Sequence, residues 1–598
     1  MCGIAGVLGA VRPVEPMIEA IRHRGPDGIR VEQTAGGAVG HARLSIIDLE
    51  YGWQPLHAAG STVIGNGEIY NYVELTEEFG LGSELKTGSD FEPLLHLYAR
   101  EGEQAFDRLR GMYAFCLVGC DGRTWLVRDP FGIKPLHIRQ EGDHVAFASE
   151  PRALRPGRIR PGAASELLGL NYALAEMRAH VRKLEPGEVS EVRGGFAAHP
   201  PLAASPARRS EPTDGRARAR RVLPIAPRPA ALPAGDPIEA LDAVLEDSVR
   251  VHQRSDVPYG LFLSGGIDST TIATMMARLN ARPVTAFTCG FEAPGARDER
   301  AAAERVARAL DLDWRETTFT EADFWRILPE VAWALDDPTT DYATLPTWKL
   351  AEAAKDTLTV VLSGEGGDEL FAGYGRYRRA LRPRLLGGRP AEPRVDARFL
   401  KQAEWPLVQW RQAVRSRSSD GRRRRPSRAP GPGPLGPLTP LQQAQWADIV
   451  TWLPNDLLLK LDRCLMAHGL EGRTPFLDRE VAAFAFHLPD RLKLQGRYGK
   501  WILRKWLERH CPAAQPWAKK QGFTVPVAAW IAPRAADLAP RIAAHEGIAE
   551  VCEVESVRAV FTDERQAHNR WPLLFYAIWW NIHVGGMERQ AALNALLR

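Results

Sequence analysis

Between Val257 and Ser269 the chain reads Val257-Pro-Tyr-Gly-Leu-Phe-Leu263, then Ser264-Gly-Gly-Ile-Asp-Ser269, and a helical pattern follows from about Asp268 to Leu279. A strand that empties through a glycine turn into a helix predicts a crossover to a parallel neighbour. The rhythm repeats. Val284–Phe291 reads as a strand, and Asp298–Leu310 as a helix with Ala302, Val306, Ala309 and Leu310 on one face. Leu358–Leu362 is a further strand, and it ends in Ser363-Gly-Glu-Gly-Gly-Asp368. From 237 onward the expectation is therefore an α/β domain with a parallel sheet whose ligands bind beyond the carboxyl ends of its strands. After Thr439 the pattern turns mostly helical, with many tryptophans as core.

Residues 1–190 have a different texture. Ala38–Asp48, Thr62–Gly65, Met112–Val118, Thr124–Arg128 and His144–Ala148 are short strand-like runs bounded by Gly, Asp or Pro, and Glu92–Arg100 reads as a helix. Strands in clusters without a βαβ rhythm predict a layered α+β domain. Two stretches have too few large apolar residues to bury a core: 191–236, read as a Pro/Ala/Arg-rich linker, and about 381–438, read as an insertion. The insertion holds seven arginines between Arg415 and Arg428. It lacks the aromatic interleaving of single-strand binders, so a solvated insertion is expected and no nucleic-acid partner.

Composition excludes several classes. At 598 residues, two or three domains are expected. Lys+Arg 77 against Asp+Glu 73 leaves +4, too little to call for a nucleic acid or a membrane surface. Seven cysteines make no disulfide framework and point to reduced thiols in a cytoplasm. No stretch of about 18 apolar residues suggests a membrane span.

Cys2 follows Met1, and removal of Met1 is expected to give Cys2 a free α-amine that accepts the thiol proton. After it come His23-Arg-Gly-Pro-Asp-Gly28, Gly40-His-Ala-Arg-Leu-Ser-Ile-Ile-Asp48, Asn66-Gly-Glu-Ile-Tyr-Asn71 and Thr87-Gly-Ser-Asp90. With Cys2-Gly-Ile-Ala-Gly, these ordered motifs resemble the class II glutamine amidotransferase domain over residues 2 to about 190. The resemblance implies an N-terminal-nucleophile (αββα) glutaminase in which Cys2 attacks the side-chain amide of glutamine. It implies an oxyanion hole from Asn66 and the Gly67 N–H, a carboxylate contact from Arg43, and ammonium recognition by Glu68 and Asp90.

Ser264-Gly-Gly-Ile-Asp-Ser269 is not a Walker-type loop, yet backbone N–H groups and hydroxyls at a helix start suit phosphate. Ser363-Gly-Glu-Gly-Gly-Asp368, Lys460-Leu-Asp-Arg463, Gly469-Leu-Glu-Gly-Arg-Thr-Pro-Phe-Leu-Asp478 and Lys519-Lys-Gln-Gly-Phe523 follow. Together they resemble the ATP-pyrophosphatase synthetase domain of class B, glutamine-dependent asparagine synthetases over about 237–535. The resemblance implies ATP and Mg2+. Ser264, Gly265, Gly266, Asp268 and Ser269 would hold pyrophosphate and metal, with Asp368 as a second metal carboxylate. Ser363 and Gly364 would line the AMP and aspartate site, Glu365 would be the base for ammonia, and Lys520 would neutralise phosphate, with its neighbour Lys519 left open for that role.

The implied partners are glutamine, aspartate and ATP, with ammonia passing through an internal tunnel to amidate aspartate. A homodimer is left open. The same machinery amidating another carboxylate is the alternative, and Asp341, Lys460 and Arg473 are left open as acceptor-side groups. The sequence departs from the family pattern at Ile267, at Trp314, where the family often has His, and in the 195–236 approach to the second domain.

Overall fold

The structure is a computed structural model that describes residues 2–598 except 11, 35–36, 143, 156, 193–218, 227–234, 293–297, 383–391, 394, 396, 418–434 and 519–524. The chain passes more than once between two units. The first is Met1–Gly157, Arg178–Pro224 and Arg254–Val257, and the second is Arg158–Met177, Ile225–Gln253 and Pro258–Arg598.

The first unit is built on strands β1 (Gly3–Leu8), β2 (Gly28–Thr34), β3 (Gly37–Arg43), β4 (Leu56–Ala58), β5 (Ser61–Ile69), β6 (Gly111–Val118), β7 (Thr124–Arg128), β8 (His137–Glu141), β9 (His144–Ala148), β10 (Arg182–Lys183), β11 (Glu188–Val192) and β12 (Ala219–Arg221). They form two six-stranded sheets, in the orders β10-β8-β9-β1-β3-β2 and β12-β11-β7-β6-β5-β4. Period-two alternation sorts the side chains. In β6, Ala114, Cys116 and Val118 join Ile4, Leu8 and Val39 of the other sheet in one buried cluster. Tyr113, Phe115 and Leu117 point the other way. There they meet Leu75 of α2 (Tyr72–Glu78) and Leu94, Leu95, Leu97 and Tyr98 of α3 (Glu92–Glu101). Ile18 of α1 (Glu15–Ala20) packs on Ala5, Ala38 and Ala42, the outer face of the first sheet. The layering is helix, sheet, sheet, helix, the αββα order.

In the second unit β13 (Tyr259–Phe262), β14 (Thr285–Phe291), β15 (Asp313–Phe319), β16 (Val360–Leu362) and β17 (Glu471–Arg473) form a sheet in the order β15-β14-β13-β16-β17. Every pairing in it is parallel. Its helices are α4 (Ala163–Leu170), α5 (Pro237–His252), α6 (Ile267–Leu279), α7 (Arg300–Ala309), α8 (Glu321–Ala334), α9 (Thr344–Ala354) and the short α10 (Gly367–Leu370), followed by a mostly helical C-terminal part. The strand order reverses between β13 and β16, which opens a crevice at their carboxyl ends.

A single handover in 191–236 does not describe the chain. Ala163, Ala164, Leu167 and Leu168 of α4 belong to the core of the second unit, where α4 packs on the helices Trp405–Arg417 and Arg570–His583. Within the stretch read as a linker, Ala219–Arg221 adds an edge strand to β11. The rest of that stretch at 193–218 and 227–234, and the arginine-rich centre at 418–434, lie outside the described residues. The insertion also contains a helix at Trp405–Arg417, which buries Pro406 and Trp410.

Candidate functional site

Cys2 stands at the head of β1, and two of the N-terminal motifs pin it there. The Arg24 guanidinium is fully buried, donates to Glu150 at 2.9 Å and to the Cys2 carbonyl at 3.3 Å. Ile4 N–H donates to Ser149 Oγ at 3.0 Å, one residue from Glu150. Arg24 belongs to the His23–Gly28 motif, but the sequence alone assigned it no role.

Asn66, on β5, accepts the Cys2 N–H through Oδ1 at 3.1 Å. This directs its amide nitrogen the other way, and Asn66 Nδ2 is buried with no hydrogen-bond partner among the described residues. A buried donor without an acceptor is costly unless a ligand completes it. Gly67 has φ +130°, and a Cβ there would lie 2.0 Å from the Met112 carbonyl oxygen, so only glycine fits.

Burial pushes the Cys2 thiol up from its ordinary value, while the adjacent N-terminal charge and Arg43 pull it down and Glu68 raises it. The resting thiol therefore needs a base to become a nucleophile. Arg43 is buried at the end of β3 and donates to the carbonyls of Leu49 at 3.1 Å and Asp48 at 2.6 Å. Asp90 accepts the Ile69 N–H at 2.7 Å, which holds it beside the end of β5. Cys2 and Asn66 thus meet, the charges of Arg43 and Glu68 act on the Cys2 thiol, and Asp90 is fastened to the strand that carries Asn66 and Glu68.

The second centre is a cavity of about 590 Å3 at the strand ends of β13 and β16. Ser264, Gly265, Gly266, Asp268, Ser269, Ser363, Gly364, Glu365 and Asp368 all line it. Gly265 has φ +69°, and a Cβ there would lie 2.7 Å from Ala303 N, so the turn presses on α7. The Ser264 and Ser269 hydroxyls lie 3.0 Å apart and Ser264 Oγ accepts the Gly266 N–H at 3.3 Å, which closes the turn at the start of α6. A Cβ on Gly364 would lie 2.8 Å from Asp268 Cβ, so the loop after β16 needs a glycine to approach α6.

The two loops share a cation that the sequence did not reveal. Lys500 is buried, its Nζ touches Asp268 Oδ2, and it lies 2.6 Å from Asp368 Oδ1. The two carboxylates push the lysine pKa up against the effect of burial. Lys500 precedes a helix at Trp501–His510, and no motif marks it. Lys519 and Lys520 lie outside the described residues.

This donor set also suits a hard divalent cation. Two carboxylates converge on one positive charge, and the glycines around them leave room. A Cβ on Gly367 would lie 2.5 Å from Asp268 Oδ1, and one on Gly373 would lie 1.7 Å from Asp368 Oδ1. Mg2+ takes one or two carboxylates plus phosphate oxygens, so these residues fit it.

Glu365 sits on the other side of the loop. Lys460 Nζ is 3.6 Å from Glu365 Oε1 and 3.0 Å from Asp341 Oδ2. Burial raises the Glu365 pKa most, Lys460 lowers it, and the nearby carboxylates of Asp341, Asp368 and Asp268 raise it further. Glu369 is pushed up to about 8, first by burial and then by Asp368. Arg473 is not among the residues that line the cavity. It is fully buried, donating to Glu471 at 2.6 Å and to the His252 carbonyl at 2.8 Å. Trp314 donates from its indole nitrogen to Thr288 Oγ1 at 2.9 Å, and Thr288 lines the cavity.

Residues 240–583 match the family described as asparagine synthase, and residues 1–199 match the glutamine amidotransferase domain. The chain is 31% identical to the glutamine-hydrolyzing asparagine synthetase 1 of Bacillus subtilis (strain 168), over 98% of this chain and 97% of that protein. It is 28% identical to the glutamine-hydrolyzing asparagine synthetase B of Escherichia coli (strain K12), over 88% and 82% of the two chains. It is 29% identical to the glutamine-hydrolyzing asparagine synthetase of Sandersonia aurantiaca, over 84% and 82%. The chain, with a buried amide donor beside Cys2 and two acidic loops facing one cleft, belongs to the asparagine synthase family.

Proposed function

We infer that the protein is a glutamine-hydrolysing asparagine synthetase that uses ATP and Mg2+. The observation that carries the reading is the meeting of Asp268, Asp368 and Lys500 at adjacent parallel strand ends.

At the first centre Arg43 holds the α-carboxylate of glutamine, and Glu68 and Asp90 its ammonium. The α-amine of Cys2, once Met1 is removed, takes the thiol proton, and Sγ attacks the side-chain carboxamide carbon. Asn66 Nδ2 and the Gly67 N–H donate to the developing oxyanion. The protonated α-amine returns that proton to the leaving nitrogen, the tetrahedral intermediate expels ammonia and leaves a thioester, and water hydrolyses the thioester to glutamate and the free thiol.

At the second centre the Ser264–Ser269 turn and the start of α6 cradle the β and γ phosphates of ATP. Asp268 and Asp368 would hold Mg2+, which when bound neutralises phosphate charge. Ser363 and Gly364 line the side where AMP and aspartate lie. The β-carboxylate of aspartate attacks the α-phosphorus and displaces pyrophosphate, while Lys500 brings an ammonium to the charge gathering there, the role the sequence suggested for Lys520. Ammonia then attacks the acyl carbon of β-aspartyl-AMP, Glu365 takes its proton, and AMP leaves.

Product analysis with ATP, glutamine and a panel of carboxylates tests the reading. Asparagine, AMP, pyrophosphate and glutamate are expected. ADP and phosphate, or no amidation of aspartate alongside amidation of another carboxylate, would overturn it.

A further inference from the structure

Arg30 and Arg43 leave neighbouring antiparallel strands, β2 and β3, and both reach one aromatic ring. The Arg43 guanidinium carbon lies 4.8 Å from the centre of the Trp53 ring and that of Arg30 lies 4.3 Å from it. Trp53 is half-buried, and Gly28 lets it lie there, since a Cβ on Gly28 would stand 3.0 Å from the ring edge. Gly52, just before Trp53, is moulded to the same guanidinium. A Cβ there would lie 2.9 Å from Arg43 Nη2 and 2.7 Å from the Asp48 carbonyl oxygen.

A guanidinium has five N–H groups in one plane. For Arg43, contacts to the Leu49 and Asp48 carbonyls use two of them and fix one edge of that plane. They leave the tilt about that edge undetermined. A planar ring with its negative face toward the guanidinium sets the tilt, and a bidentate carboxylate contact tolerates little error in it.

We propose that Trp53 is a positioning residue for the α-carboxylate of glutamine: its ring holds Arg43 at the tilt where the remaining N–H groups grip the carboxylate. Arg30, on the same ring, adds a second positive charge that draws the carboxylate in. This rests on reading the first centre as a glutaminase.

The test is steady-state hydrolysis of glutamine and of 4-aminobutanamide, which is glutamine without its α-carboxylate. Trp53→Leu should raise the glutamine KM about tenfold with kcat within about twofold, and Trp53→Phe should keep KM within about threefold. The kcat/KM on 4-aminobutanamide should stay within about twofold in both variants, so that Trp53→Leu lowers the preference for glutamine about tenfold. Arg30→Ala should raise the glutamine KM less, and should flatten its dependence on salt.

An unchanged glutamine KM in Trp53→Leu overturns the proposal. So does an equal loss on both amides, which is the mark of a merely structural ring. Arg43→Ala separates the two levels. If it leaves the glutamine KM unchanged, the assignment of the first centre fails. If it raises KM and Trp53→Leu does not, the positioning role alone fails.

Discussion

Glu365, on the loop after β16, and Asp368, in the first turn of α10, lie three residues apart, yet their surroundings assign them different work. Asp368 faces the Lys500 ammonium, whereas Glu365 faces Lys460 and Asp341. Burial raises the Glu365 pKa, which suits a group that must take a proton as ammonia attacks. Glu365→Gln should therefore keep aspartate-dependent exchange of pyrophosphate into ATP while the ammonia step slows by about 10²–10⁴. Asp368→Asn should lose the exchange as well. Equal loss of exchange in both variants, read by labelled pyrophosphate, would move Glu365 to the metal. Cys2, Asn66 and the two acidic loops were legible in the sequence because a motif ties their spacing to one turn. Lys500 was not, since it arrives from 132 residues beyond Asp368 in no motif at all. Nor was the Trp53 ring over Arg43, because cross-loop stacking has no period.

At the scale of elements, legibility followed solvent exposure. The apolar runs 284–291 and 112–118 match β14 and β6 to within a residue, since their side chains are buried. Strand β15, Asp313-Trp-Arg-Glu-Thr-Thr-Phe319, is mostly polar because it is an edge of the sheet, and an edge need not be hydrophobic on both faces. Strand β17 is Glu-Gly-Arg, fully buried and only three residues long, too short for any pattern. Arg417 ends the helix Trp405–Arg417 and donates to the carbonyls of Val450 at 2.9 Å and Leu174 at 2.8 Å, so it is anchored. Residues 418–434 hold Arg, Pro, Ser and Gly and almost no side chain to bury. Replacing 418–434 with a short Gly/Ser loop should leave synthesis within about threefold, because the length of a connecting segment by itself costs little. Arg417→Ala should lower the melting temperature by about 2–4 °C, the shift expected for about 1 kcal/mol in a large unit. A collapse of activity in the loop replacement would show that 418–434 docks.

The two centres belong to different units of one molecule, and their chemistries should separate. Cys2→Ala should abolish glutamine hydrolysis while ammonia-dependent asparagine formation persists within about twofold, because only the sulfur is lost and the acceptor centre is untouched. A variant that still spends glutamine at the parental rate would place the nucleophile elsewhere. The path of the chain between the units has a temporal consequence. Helix α4 is made early, but its partners in the second unit include the helices Trp405–Arg417 and Arg570–His583. A ribosome that has finished α4 must add roughly 400 residues before the last of these emerges, about 20–80 s at about 5–20 residues per second. When α4 is finished the glutaminase sheets still lack β10, β11 and β12, and Leu167 and Leu168 wait for their last partner through the whole interval, so a chaperone that shelters short apolar helices would find its client there.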